Sequence, residues 1–287
     1  MAVIYGKKRL APGVFVPRDD ASFPMDDPWR RLVEVEVEDD EKGRYRFDET
    51  YPYLDDSLRY KWNRFLGWFV QWIAVAGINR FKYCLRIRGK KKLKPYKKAL
   101  KGGAVVVCNH ITTFDAVCVY QAVRRFRKLW IPMYAKHFNG SKSWFMRYCG
   151  GIPLPENPAG MRKFTEAFDE YHRRRQWILV FPEAVRWDFY QPLRPFRKGA
   201  FSMAVKYAAP IVPCVISYRP RTGIYKWFGK ADEPLLTIHV CEPIVPDPSA
   251  NRRHEIQRLR AEAHDRMCSA AGILENPWPV ASDDTTT

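Results

Sequence analysis

Asn109, His110 and Asp115 stand where an apolar run, Val105 to Cys108, gives way to two hydroxyl residues, Thr112 and Thr113. Imidazole and carboxylate form a pair suited to moving protons near neutral pH. The carboxylate takes the proton of one ring nitrogen and stabilises the imidazolium, and the other nitrogen is left free as a base. The spacing decides where such a pair can meet. On one continuous helix, residues five apart point about 140° away from each other, so the two side chains need a corner where strand becomes helix. The threonines can cap that helix and put Asp115 in its first turn. A histidine and an aspartate five apart also fit a purely structural histidine, and the rest of the chain must separate the two readings.

Ile178 to Phe181 is a second apolar run, and it delivers Pro182, Glu183, Ala184, Val185 and Arg186 at its end. Phe196-Arg197-Lys198-Gly199-Ala200-Phe201 follows, and then the run Pro210 to Ile216 with Pro213 inside it. Two strands that end in polar groups of opposite charge make a plausible site. The bland alternative for Glu183 and Arg186 is a mutual surface ion pair. No nucleotide-cradling glycine loop is present, and His137, His172, His239, His254 and His264 lack a second ligand at metal-binding spacing, so neither a metal nor a cofactor is expected.

The elements that must position these groups alternate. Short β-branched runs at Ala104–Cys108, Leu129–Tyr134, Trp177–Phe181, Ile211–Ile216 and Leu235–Val240 are separated by helical periodicity at Ala116–Phe126, Gly160–Arg174 and Gly199–Tyr207. Near-continuously apolar strands alternating with helices imply an α/β fold, a mixed, mostly parallel sheet flanked by helices with ligands at the strand ends. Asn251 to Ala271 reads as a charged surface helix with Ile256, Leu259 and Met267 on one side, and Ser282–Thr287 as a disordered tail.

Upstream, Tyr60 to Phe81 is an almost unbroken apolar helix bracketed by Arg59, Lys61, Arg64, Arg80 and Lys82. Its apolar centre, Phe65 to Ile78, is shorter than the roughly 20 residues a perpendicular span requires. Trp62, Trp68 and Trp72 suit a headgroup boundary and the flanking cations suit anionic lipid, so an interfacial helix is expected, a core helix being the alternative. Residues 1–55 are Pro-rich and then acidic, with an edge strand possible at Val33–Val37 in an otherwise peripheral arm. The chain divides into an arm, 1–58; the interfacial helix, 59–82; the chemistry-bearing domain, 83–248; and a C-terminal helix and tail, 249–287.

The charge of +18, from 49 basic and 31 acidic residues, calls for an anionic partner: phospholipid heads, coenzyme A, acyl carrier protein or nucleic acid. Nothing in the chain has zinc-finger, basic-zipper or RNP-like spacing, so nucleic acid rests on charge alone. Seven cysteines without a CxxC pair, several inside apolar runs, fit free thiols in a reducing compartment. The first twenty residues lack the continuous apolar run of a signal peptide. The expected place is the cytoplasmic face of a membrane, peripheral or monotopic.

Taken in order, these segments resemble the glycerophospholipid acyltransferase family, the lysophosphatidic acid acyltransferase-like enzymes whose best-known members acylate 1-acylglycerol-3-phosphate. Asn109, His110 and Asp115 match its Asn-His-x4-Asp block. Phe181, Pro182, Glu183 and Arg186 match its Phe-Pro-Glu-Gly-Thr-Arg block, with Ala184 and Val185 departing. Lys198–Phe201 and Ile211–Ile216 match its later elements, so the resemblance covers about Gly103 to Tyr218.

The resemblance implies that His110 is the catalytic base and Asp115 its orienting partner. Glu183, Arg186, Lys198, Gly199 and Pro213 would form the substrate site, with Arg186 on the acceptor phosphate, which a guanidinium grips through two parallel hydrogen bonds. The acceptor's own hydroxyl would attack an acyl thioester, of coenzyme A or of acyl carrier protein, and Trp130, Trp144 and Trp177 could line an acyl groove. The family's second block carries an arginine after its glycine. This chain has Gly150-Gly151-Ile152-Pro153-Leu154-Pro155-Glu156, so Arg162 or Lys163 would have to substitute, or the acceptor lacks a phosphate, as an acylated amino acid does. A catalytically silent module that binds membrane or acyl carrier is the reading from another class.

Overall fold

The computed structural model describes residues 46–112, 114–123, 129–138, 143–184, 186, 190–219, 221, 223–227, 234–274, 276, 278 and 280, together with the backbone of 9–11 and 14–15. The expected strand at Val33–Val37, the acidic run after it and the tail Ser282–Thr287 lie outside the described residues.

Arg9–Ala11 (β1) and Val14–Phe15 (β2) form a small antiparallel pair. Seven strands make the main sheet: Arg86–Arg88 (β3), Ala104–Cys108 (β4), Leu129–Met133 (β5), Gly151–Pro153 (β6), Trp177–Val180 (β7), Ile211–Arg219 (β8) and Leu235–Val240 (β9). Their order is β3-β9-β8-β4-β7-β5-β6, every pair parallel except β8 with β9. The sheet is therefore mixed and mostly parallel, as expected. The strands β3 and β6 escape sequence reading because three residues carry no readable alternation.

The two faces of the sheet follow the alternation along β4. Val106 and Cys108 pack with Leu179, Val212 and Ile216 on one side, and Val105 and Val107 pack with Ile211 and Val215 on the other. Helices cover both faces: Leu58–Gly77 (α1), Lys97–Leu100 (α2), Asp115–Val123 (α3), Ser143–Tyr148 (α4), Pro158–Arg173 (α5), Gly199–Lys206 (α6) and Arg252–Ala271 (α7). Asn157 caps α5, its side chain accepting from Gly160 N at 2.6 Å. Residues 124–128, into which the α3 periodicity extends, are outside the described set.

The helix α7 has the expected two sides: Arg252, Arg253 and Asp265 are exposed, and Leu259 and Met267 turn inward, where Ala263 and Ala271 extend the buried stripe against β4, β8 and α6. One expectation needs correcting: the end of the N-terminal arm is not peripheral, since Phe47, Tyr51 and Tyr53 are buried with Phe164, Phe168 and Tyr171 of α5.

The helix α1 has its polarity reversed for a globular helix. Tyr60, Arg64 and Gln71 are buried, while Leu58, Trp62, Phe65, Phe69 and Ile73 face outward, Trp62 with 63% of its surface exposed. Gly67 lets the inward face approach α4: a Cβ there would stand 2.7 Å from the Tyr148 carbonyl oxygen. After Gly77 a π-helical turn, Ile78–Lys82, carries the chain to β3. No described helix is long and apolar enough to cross a membrane.

Candidate active site

The strand β4 ends at Cys108, and α3 begins at Asp115. Asn109 locks the end of the strand in place: its side chain accepts from Ile216 N at 2.8 Å and donates to Ile216 O at 3.1 Å, continuing the β4–β8 pairing by a side chain. Thr112 Oγ1 accepts from Phe114 N at 2.9 Å and so starts the helix. Between these two anchors the backbone turns the corner that the five-residue spacing demanded.

At that corner His110 Nδ1 lies 2.9 Å from Asp115 Oδ2. The same oxygen accepts from Ile111 N at 2.6 Å and Thr112 N at 2.9 Å. Three donors converge on a carboxylate whose side chain is wholly buried, while the imidazole keeps 24% of its surface. The ring stacks on Phe181 at 4.4 Å between centroids, with planes 19° apart. An oxygen that already accepts from two backbone amides favours a third donor, so the matching tautomer has its proton on Nδ1 and leaves Nε2 available as a base. The arrangement can take a proton from a hydroxyl and stabilise the cation that results.

The second block arrives on β7. Phe181 to Ala184 form a turn closed by Ala184 N donating to Phe181 O at 3.0 Å. Ala184 sits at φ 62°, a left-handed backbone conformation that a Cβ disfavours. The corner that a glycine makes easily is thus retained here with alanine.

Glu183, expected to contact the acceptor, is 1% exposed and stands behind the histidine. Its Oε2 accepts from Arg194 Nη2 at 2.6 Å and from His110 N at 3.5 Å, so its ion-pair partner is Arg194. Burial pushes the Glu183 carboxyl up from its ordinary range, with Arg194 pulling it back. Sequence reading missed Arg194, eleven residues along in no recognisable pattern, although its total burial marks it. Asn109 was seen only as part of a motif, and its pairing with β8 could not be read from spacing.

Arg186 is exposed, and so are Lys198 and Gly199 at the start of α6. Arg197 N donates to Pro182 O at 2.9 Å, which ties that helix start to the Glu183 turn. Pro213 is placed elsewhere: it is buried within β8 in register with Val107, inside the sheet and short of its end. Glu156 is exposed and Lys163 is paired with Glu166 at 2.9 Å. Among the described residues no group of three or more His, Cys, Asp or Glu could hold a metal ion.

A cleft of about 1340 Å³ is lined by Trp130 and Trp177, but at the other end of the sheet from His110. Trp177 and Leu129, neighbours in register, begin β7 and β5, and His110 follows the end of β4. Trp144 lies on α4, 40% exposed.

Residues 84–217 match the family model described as Acyltransferase. A 1-acyl-sn-glycerol-3-phosphate acyltransferase of Salmonella typhimurium is 26% identical over 202 residues, covering 67% of this chain and 76% of that protein. One from Escherichia coli K12 is 28% identical over 184 residues, covering 61% and 69%. The crystal structure of the 1-acyl-sn-glycerophosphate acyltransferase of Thermotoga maritima aligns over 74% of this chain and 84% of that one, with 17% identity and a TM-score of 0.46.

Proposed function

We propose that this chain, which residues 84–217 make a member of the acyltransferase family, moves a fatty acyl group from a thioester of coenzyme A or acyl carrier protein to the free hydroxyl of 1-acylglycerol-3-phosphate. The names of the relatives from Salmonella typhimurium and Escherichia coli support that acceptor. The observation that carries the mechanism is the 2.9 Å contact from His110 Nδ1 to a buried Asp115 that also holds two backbone amides.

In this mechanism His110 Nε2 removes the acceptor hydroxyl's proton as its oxygen attacks the thioester carbonyl. The new ester C–O bond forms, the C–S bond breaks, and the imidazolium returns its proton to the departing thiolate. Asp115 stabilises the imidazolium between those steps. Glu183 and Arg194 act as positioning residues, holding the His110 backbone from behind. Arg186, with Lys198 and Gly199 at the nearby helix start, receives the acceptor phosphate. The outward apolar face of α1 rests on the membrane that supplies the lipid.

The test is turnover. Purified enzyme is given labelled acyl-CoA or acylated carrier protein with 1-acylglycerol-3-phosphate, and diacyl product is expected. His110→Ala is expected to lose about 10²–10⁴-fold in kcat, and activity retained by that variant overturns the assignment. A second reading, an acceptor without phosphate, is favoured by Glu156 standing exposed where the resemblance calls for arginine. A panel of lyso-lipids with and without the phosphate separates the two, because Arg186→Ala raises KM only for acceptors that bear it.

A further inference from the structure

The large cleft lies at the rim where the parallel strands begin. Its walls come from the segments just before β4 and β7 and from the first half of α1, with seven cationic side chains against two carboxylates. Both carboxylates are engaged: Asp55 pairs with Arg147 at 3.1 Å, and Asp56 with Arg174 at 2.5 Å and Lys61 at 3.7 Å. The positive excess therefore rests on Arg64, Lys94, Lys97, Lys101 and Arg175.

Arg64 is the unusual member. It is only 8% exposed, and its guanidinium stacks over Trp130 at 4.4 Å and donates through Nη1 to Tyr148 O at 2.8 Å. Arg64 is among the residues that line the cleft, its Nε is buried without a hydrogen-bond partner, and no carboxylate pairs with it among the described residues. A buried cation is normally paired, and one left without an anion is costly. A phosphate oxygen in the cleft would complete it.

The surroundings specify where such a phosphate comes from. Phe65 and Trp68 of α1 line the same cleft, and Phe65 belongs to the outward apolar stripe. The helix runs from this rim to the other, where the turn after it brings Lys82 over the Phe114 ring beside Asp115. With the outward face of α1 on a membrane, as proposed above, the cleft would stand at headgroup depth, with rings toward the acyl chains and cations toward the phosphate. His110 is about six residues of strand away, roughly 20 Å, so the occupant is distinct from the reacting lipid.

We infer that this cleft is a second lipid site, which takes the phosphate head of an intact anionic phospholipid with Arg64 as its buried anchor. It holds the enzyme on anionic membrane independently of the acceptor.

Sedimentation of the full chain with vesicles tests this without any turnover, so it stands apart from the proposed reaction. Phosphatidylcholine vesicles are compared with vesicles that also contain phosphatidylglycerol. Arg64→Gln is expected to weaken the phosphatidylglycerol-dependent binding about tenfold, the effect of one charge-assisted hydrogen bond, and to leave binding to phosphatidylcholine alone unchanged. Should Arg64→Gln fail to fold by circular dichroism, the exposed rim pair Lys97→Glu with Lys101→Glu is expected to show the loss. Lys90→Glu with Lys91→Glu, on the same basic segment but outside the cleft, is expected to show much less. Equal loss from that outside pair, unchanged binding by folded Arg64→Gln, or complete displacement by millimolar inorganic phosphate would overturn the lipid site.

Discussion

At the scale of single residues, the candidate site concentrates its constraints on a few backbone positions. Asp115 serves a ring nitrogen and two amides with one oxygen, and Asn109 joins two strands with one amide group. Both roles lie within or beside a motif, so the motif's position was legible while the hydrogen bonds that give it shape were not. Ala184 shows the opposite case, a departure visible in the sequence whose consequence only the structure shows. Its φ of 62° costs about 1–2 kcal/mol for a residue with a Cβ. Ala184→Gly removes that strain but loosens the unfolded chain, which offsets roughly 0.4–1 kcal/mol. The net expectation is a gain of about 0.5–1 kcal/mol in denaturant unfolding, with the His110–Asp115 corner unaltered. A destabilised glycine variant would show that the alanine methyl is held by packing.

At the scale of elements, α1 was legible as an apolar helix with cationic ends, because a run of that length needs no tertiary information. Which of its residues turn inward was not legible, since the buried side carries Arg64, Gln71 and Gly67 and the exposed side carries the aromatics. Hydropathy alone assigns those faces the wrong way round for a helix in water. The two glycines of α1 give a paired test of the docking. At Gly67 a Cβ would stand 2.7 Å from the Tyr148 carbonyl oxygen and 2.9 Å from its carbon, backbone atoms that no rotamer change can move. Gly67→Ala gains about 1 kcal/mol of helix propensity and loses about 2–3 kcal/mol to overpacking, so a net loss of about 1–2 kcal/mol is expected. At Gly77 nothing lies within 4 Å of such a Cβ and the backbone is right-handed helical. Gly77→Ala should therefore stabilise by up to about 1 kcal/mol. Thermal or denaturant melts of the two variants that shift the same way would contradict the packing of α1 on α4.

At the scale of the whole molecule, the alternation of apolar strands and helices made the α/β class legible, and all five strands read from the sequence exist with small differences at their ends. The sheet order was not legible, because β4 is central while preceding β5, β7 and β8, and pairing across such separations leaves no local mark. The same packing fixes how the protein responds to acid. Burial lowers His172, His239 and His264 from the ordinary value near 6.5, His239 to about 4, with Arg88 and Lys92 adding to its shift. The unfolded chain binds protons at these positions more readily than the folded one, so their contribution is fully present above pH 6.5 and is lost as pH falls below it, for His239 down to about 4. Glu183, raised by burial, acts in the opposite sense over the adjoining range, one group against three. Asp169 and Glu255, both lowered, extend the loss to more acidic pH. Denaturant midpoints should therefore fall from pH 7 to pH 5. His239→Gln, which keeps a side-chain partner for Ser217 Oγ, now 2.8 Å from His239 Nε2, should flatten part of that slope. A midpoint that stays level between those pH values, or a glutamine variant with the original slope, would mean that His239 titrates in the folded protein as freely as in the unfolded chain.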